Sequence, residues 1–399
     1  MSHFSAIAQV PGDPILGLLD AYRADPNPAK LDLGVGVYKD ASGLTPIPRA
    51  VKLAEQRLLE TEQTKTYIGG HGAAEFGERL LQLVLGTDSA LLRDGLAGAT
   101  QTPGGTGALR LAGEFIARNL PGRSIWLSDP TWPIHETLFA ACGLRVEHYP
   151  YVGADNRLHV DAMLEALQRI PAGDVVLLHA CCHNPTGFDL GTADWQRVLD
   201  VVKARELLPL IDFAYQGFGD SLEQDAWAVR LFANELPELL VTSSCSKNFG
   251  LYRERTGALI VRADSAGRLA AVRSQLALLA RGLWSTPPAH GAAVVAEILG
   301  DAELKALWSA EVEGMRQRVA SLRSGLVEAL RPHGLAERFA HIAEQRGMFS
   351  YTGLSAEQVA RLRTEFSVYL VSSGRASVAG MSEARLDYLA GAIARVCQA

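Results

Sequence analysis

Five short runs in the middle of the chain are apolar without alternation: "SIWLSD" (124–129), "DVVLLHA" (174–180), "LPLIDFA" (208–214), "ELLVTSS" (238–244) and "GALIVRA" (257–263). A strand with one wet face alternates apolar and polar residues, whereas a strand covered on both faces does not. The runs therefore read as strands of a mostly parallel sheet covered by helices on both sides. Helical patterns such as "TADWQRVLDVVKAREL" (192–207) lie between them, as crossovers between parallel strands require. The expected fold class is α/β.

From about residue 302 the pattern changes. "ELKALWSAEVEGMRQRVASLRSGLVEAL" (303–330) reads as one long amphipathic helix. An α+β segment follows, with "SVYLVSSGR" (367–375) as a strand and "SEARLDYLAGAIARVCQ" (382–398) as a last helix. At 399 residues the chain is long for one core. The expected division is a large domain over 46–312 and a smaller one from 313–399 joined by 1–45. Within 1–45, "KLDLGVGVY" reads as a strand returning to the C-terminal part.

A net charge of -6 without a basic run disfavours nucleic acid or an anionic membrane as the main partner. It leaves room for a local basic pocket that takes a small anion. The 5 cysteines are odd in number and lack CxxC spacing, which reads as reduced, cytoplasmic usage. The start, "MSHFSAIAQVPGDPILGLL", lacks the basic n-region of a signal peptide. No apolar run approaches the roughly 18 residues of a membrane span.

In an open parallel sheet, ligands bind outside the carboxyl ends of the strands. Trp132 and His135 follow the first run, Asn184 the second, Asp212 and Tyr215 end the third, and Lys247 follows the fourth. Each has a plain reading when taken alone. Lys247 reads as a surface lysine, Asp212 as a turn residue, Asn184 as part of a turn with its proline, and Trp132 as core. Arg255 and Arg375 read as surface ion pairs. The glycine turn in "TPGGTGALRLAGEFIARNL" (102–120) could be an ordinary helix start, or an anion site built from helix N–H groups. Their grouping at one sheet edge favours a ligand. The set suits a molecule with an aldehyde for an amine, a ring nitrogen for a carboxylate, a phenolic oxygen for Asn and Tyr donors, and a phosphate. Positive charge and an apolar strand end would both disfavour a protonated Lys247.

"SCSKNFGLYRERTG", "IDFAYQGF", "CCHNPTG", "DPTWPIH", "TPGGTGALR", "LDLGVGVYKD" and "SSGRASVAG" occur at the positions of matching motifs in the class I aminotransferases. Over essentially its whole length the chain resembles that family, in its aspartate and aromatic-amino-acid branch. The resemblance implies fold type I architecture and the cofactor pyridoxal 5'-phosphate. It implies that Lys247 bonds the aldehyde and moves the substrate proton, that Asp212 pairs with the ring nitrogen, and that His135 and His179 support Asp212. Asn184 and Tyr215 would bind the phenolic oxygen, and Trp132 would cover the ring. Gly105, Thr106, Ser244 and Arg255, with Ser246 a weaker candidate, would hold the phosphate. Arg375 would grip the substrate α-carboxylate and Gly36 would line the site. A homodimer is implied, with Tyr67 reaching the partner's phosphate and Arg281 the partner's substrate.

The activity implied is transfer of an amino group from tyrosine or phenylalanine, with aspartate also accepted, to 2-oxoglutarate. An aspartate transaminase is the alternative, and another enzyme with the same cofactor, such as a lyase, a more remote one. Val37, Lys39, Thr45 and Arg281 match the aspartate-selective pattern, whereas Leu283, Trp284 and Thr286 depart from it towards an apolar lining.

Overall fold

Along Val175–His179, Val175 and Leu177 enter one apolar cluster while Val176 and Leu178 enter another. Leu210 and Ile211 divide in the same way on Leu208–Phe213, as do Leu240 and Val241 on Leu239–Ser244. Both faces of these strands are thus dry, which is why their sequences do not alternate. The structure is a computed structural model describing residues 3–5, 7–9 and 14–398, and of 14–16 the backbone alone. Much of the N-terminal arm lies outside the described residues.

The central sheet has 7 strands, in the order Ala97–Pro103, Thr256–Arg262, Leu239–Ser244, Leu208–Phe213, Val175–His179, Ser124–Asp129 and Arg145–Pro150. Thr256–Arg262 runs antiparallel to both its neighbours, and the strands from Leu239–Ser244 to Arg145–Pro150 are parallel. Two strands carry no apolar run and were not expected. Ala97–Pro103 is buried but built of small and polar residues. Gln101 there satisfies its side chain by donating to the Pro288 carbonyl (2.7 Å) and accepting from the Ala73 N–H (2.9 Å). Arg145–Pro150 is the edge strand opposite Ala97–Pro103 and is largely wet.

"SVYLVSSGR" is two strands rather than one. Val368–Tyr369 pairs in parallel with Leu31–Asp32, and Arg375–Ser377 pairs antiparallel with Phe349–Tyr351. Gly374 separates them in a left-handed conformation (φ +82) that ends the extended run. "KLDLGVGVY" does return to the C-terminal segment, but only Leu31–Asp32 is strand. The Asp32 carboxylate then accepts from the Gly34 N–H (3.1 Å) and turns the chain.

The long helix spans Ala302–Leu330 and is capped by Asp301, which accepts from the N–H groups of Glu303 and Leu304. It packs on Arg49–Thr61 and His290–Gly300 in its course and on Leu386–Cys397. Trp308 on this helix is fully buried, stacks on Phe249 at 4.4 Å between ring centroids, and donates its indole N–H to the Asn248 carbonyl (2.7 Å). Asn248 and Phe249 directly follow Lys247, so the helix fixes the loop that carries the lysine. Trp308→Ala removes the stack and the donor together, and should cost about 3–5 kcal/mol in urea unfolding. An unchanged unfolding midpoint would contradict this role.

Candidate active site

Paired residues on adjacent strands project to the same face of a sheet. The register places His179 beside Asp212, and Asp212 beside Thr242. One row across three strands therefore delivers an imidazole, a carboxylate and a hydroxyl to one face. Thr242 donates to Asp212 Oδ1 (3.1 Å), and His135 Nε2 lies 3.3 Å from Oδ2. Burial alone would raise the Asp212 pKa. The hydrogen bond from His135, the two neighbouring imidazoles of His135 and His179, and the Thr242 bond more than offset it, so the carboxyl lies below its ordinary value. His179 reaches Asp212 less directly than expected, through Thr131, whose Oγ1 is 3.2 Å from His179 Nε2 and 2.9 Å from His135 Nδ1. Burial, with His135 nearby, pulls His179 down to about 3 and leaves the ring neutral. Behind it the stack continues through His183 to Tyr151, with ring centroids 4.1 Å apart at each step.

Lys247 lies just beyond Leu239–Ser244. Its amine donates to the Gly36 carbonyl (3.2 Å) and sits 4.9 Å from the centroid of the Tyr252 ring. Burial first, then the charges of Arg255 and Arg375, lower its pKa to about 8. The charge of this amine is thus made costly on two counts. The Tyr252 hydroxyl is itself held by the Tyr38 N–H (3.0 Å).

The strand Ala97–Pro103 passes directly into the helix Gly104–Asn119. Gly104 has φ +73, and a Cβ there would stand 2.6 Å from Arg255 Nη2. A Cβ on Gly105 would meet the Ser244 Cβ at 3.1 Å. The first N–H groups of a helix have no partner within it. Here they open beside an arginine and a serine, with no side chain between. Ser246 is buried, and its N–H donates to Ser244 Oγ (3.2 Å). Thr106, in the first helical turn, is exposed.

Asn184 donates to the Tyr215 hydroxyl (3.3 Å) and accepts from Arg375 Nη1 (3.4 Å). Arg375 is 4% exposed and donates through Nη2 to the Gly34 carbonyl (2.7 Å), while its buried Nε has no partner among the described residues. Its guanidinium carbon lies 4.4 Å from the centroid of the Phe349 ring. Trp132 stands edge-on to His135 at 5.3 Å. Asp212 and Trp132 are joined through His135, Gly105 meets Ser244 at the helix start beside Arg255, and Asn184 links Tyr215 to Arg375, while Lys247 bonds Gly36 and feels the charges of Arg255 and Arg375. Tyr67 and Arg281 are not drawn into these contacts within the chain. Tyr67 is 91% exposed, and Arg281 is exposed with its Nη1 donating to Ser285 Oγ (2.6 Å). Residues missed at the sequence level are Thr131, Thr242, Tyr252 and Phe349. Thr242 was visible in principle, being one strand over from Asp212, but its register was not.

Residues 28–393 match the family model for aminotransferase class I and II. The chain belongs to the class I and II aminotransferases. It is 77% identical over 397 residues, covering 100% of both chains, to the aromatic-amino-acid aminotransferase of Pseudomonas aeruginosa. It is 48% identical over 394 residues, covering 98% of this chain and 100% of the other, to the aspartate aminotransferase of Escherichia coli. The solved aromatic-amino-acid aminotransferase of Burkholderia pseudomallei, covalently bound to pyridoxal phosphate, superposes with a TM-score of 0.97. That structure is 47% identical and covers 99% of this chain and 100% of its own.

The chain is accordingly a pyridoxal-phosphate-dependent transaminase acting on amino and 2-oxo acids. The residues present fit that cofactor. An amine of lowered pKa, a buried carboxylate, an Asn–Tyr donor pair and a side-chain-free helix start beside an arginine match its aldehyde, ring nitrogen, phenolic oxygen and phosphate. Only the neutral amine attacks an aldehyde, and its fraction rises with pH through the folded-state pKa. Capture of pyridoxal phosphate by cofactor-free protein, followed by visible absorbance, should therefore accelerate up to pH about 8 and level above it. Acceleration continuing to pH about 10.5, the ordinary lysine value, would show that the site does not depress the amine.

Proposed function

We propose that this chain is an aromatic-amino-acid transaminase that takes the amino group of tyrosine or phenylalanine, accepts aspartate as well, and delivers it to 2-oxoglutarate in alternating half-reactions. When bound, the cofactor supplies an electron sink for the substrate α-carbon. Asp212 holds the proton on the ring nitrogen, and the hydrogen bonds from Thr242 and His135 keep it ionised for that task. Asn184 and Tyr215 donate to the phenolic oxygen, and Trp132 covers the ring face. Gly105, Thr106, Ser244 and Arg255 hold the phosphate. Lys247, its pKa brought down to about 8, takes the proton from the substrate α-carbon in its neutral form and would pass it to the carbon that bears the cofactor's aldehyde. Arg375 grips the α-carboxylate with its planar fork, and the Gly36 main chain lines the site.

Tyr67 and Arg281 act across a homodimer interface. Their outward position supports this, as do the exposed Leu278 and Leu283 near Arg281. The large and small domains divide at residue 312 within the long helix. A cytoplasmic location agrees with the unpaired cysteines, and among the described residues no helix is long and apolar enough to cross a membrane.

The observation that carries the aromatic preference is the segment after Arg281. Leu283 is 38% exposed, and Trp284 packs on the apolar cluster with its indole N–H unpaired, so the surroundings of Arg281 offer apolar surface. Lys39, one of the residues that suggested aspartate selectivity, is occupied by an ion pair with the buried Asp32 (3.0 Å). The aspartate reading keeps Val37, Thr45 and the Arg281 guanidinium as its supports. Side-by-side kcat/KM values for phenylalanine, tyrosine and aspartate test the choice, with the aromatic substrates expected to equal or exceed aspartate. A preference for aspartate above about a hundredfold, roughly 2.7 kcal/mol, would reverse it.

A further inference from the structure

Arg323, on the long helix, is 2% exposed, and among the described residues no carboxylate forms an ion pair with it, Asp189 acting on it only from beyond ion-pair distance. Burial lowers its pKa to about 10, so it stays charged at neutral pH. A buried cation without a counter-ion is costly unless its donors are satisfied. Nη1 donates to the Ile342 carbonyl (3.2 Å) and to Ser350 Oγ, and Nη2 to the carbonyls of Arg346 (3.1 Å), Gly347 (2.6 Å) and Phe349 (2.6 Å), while Nε has no partner among the described residues. Arg346 and Gly347 lie in the loop between the short helix His341–Glu344 and the strand Phe349–Tyr351, where the main chain has no regular ladder. The guanidinium ties that loop to the elements on either side of it, across residues 342–350.

That segment touches the site twice. Its Phe349 ring backs the Arg375 guanidinium and lies where any side chain at Gly36 would be, since a Cβ there would approach the Phe349 Cζ to 2.6 Å. Its Arg346 N–H donates to the Gly187 carbonyl (2.7 Å), which docks it on the loop bearing Asn184. We infer that Arg323 is a positioning residue for the α-carboxylate grip, holding Phe349 and the Asn184 loop so that Arg375 keeps its orientation. Only a fork with several donors in one plane can gather these acceptors, whereas a lysine offers three donors from one nitrogen. The inference rests on the reading of Arg375 as the carboxylate ligand.

The test uses cofactor-loaded wild type, Arg323→Met and Arg323→Lys, with 3-phenylpropionate, which has a carboxylate and no amine, titrated by visible absorbance. Arg323→Met should keep one cofactor per chain and raise both the Kd for 3-phenylpropionate and the KM for phenylalanine by about tenfold or more, with kcat changed by less than about threefold. Arg323→Lys should fall between this variant and wild type. A loaded Arg323→Met protein with wild-type Kd and KM overturns the inference. Loss of cofactor and kcat together in both variants, or failure of both to fold, overturns it by assigning Arg323 a purely structural role. Wild-type protein that neither binds 3-phenylpropionate nor turns over phenylalanine overturns the proposed function instead, and the inference with it.

Discussion

A carboxylate buried in the middle of a sheet is tolerable only if the fold surrounds it with donors, and Asp212 is the point around which this site is arranged. The sheet register supplies Thr242 from one neighbouring strand and places His179 on the other. The segment after Ser124–Asp129 supplies Thr131 and His135. Burial and hydrogen bonding act on Asp212 in opposite directions, and hydrogen bonding wins. At Lys247 burial and neighbouring positive charge act in the same direction, so the amine loses its proton more easily. One buried acid is kept charged and one buried base is brought close to neutrality. Opposed shifts of this kind separate the two tasks of holding and moving a proton.

Much of this was legible in the sequence because the strands that carry the site are the ones covered on both faces. Their unbroken apolar runs marked their positions, and Asn184, Tyr215 and Lys247 each lie within four residues of the end of one of them. What stayed hidden was polar or wet. Ala97–Pro103 is a strand made of small and polar residues, and Arg145–Pro150 is an edge, so neither shows an apolar run. "SVYLVSSGR" reads as one strand until Gly374 is seen in its left-handed conformation. The support given by Thr131, Thr242 and Phe349 depends on register and on contacts between distant segments, which no local pattern encodes.

The two arginines proposed to bind substrate differ in how the fold treats them. Arg375 is enclosed, bonded to Gly34 and Asn184 and backed by an aromatic ring. Arg281 stands outside with a single serine as its hydrogen-bonded partner. A buried arginine is suited to a group that every amino and 2-oxo acid shares. An exposed one bordered by Leu283 and Trp284 is suited to the part that varies. The division matches an enzyme that must accept two unlike side chains at one centre.

The central claim is that one amine, Lys247, serves a site that takes an amino group, stores it and gives it to a second acid. The most direct measurement mixes cofactor-loaded protein with excess phenylalanine, without any oxo acid, and counts the phenylpyruvate released. The account predicts one equivalent per chain, then a stop that addition of 2-oxoglutarate relieves. Release that continues through many turnovers without an acceptor, or no release at all, would contradict it.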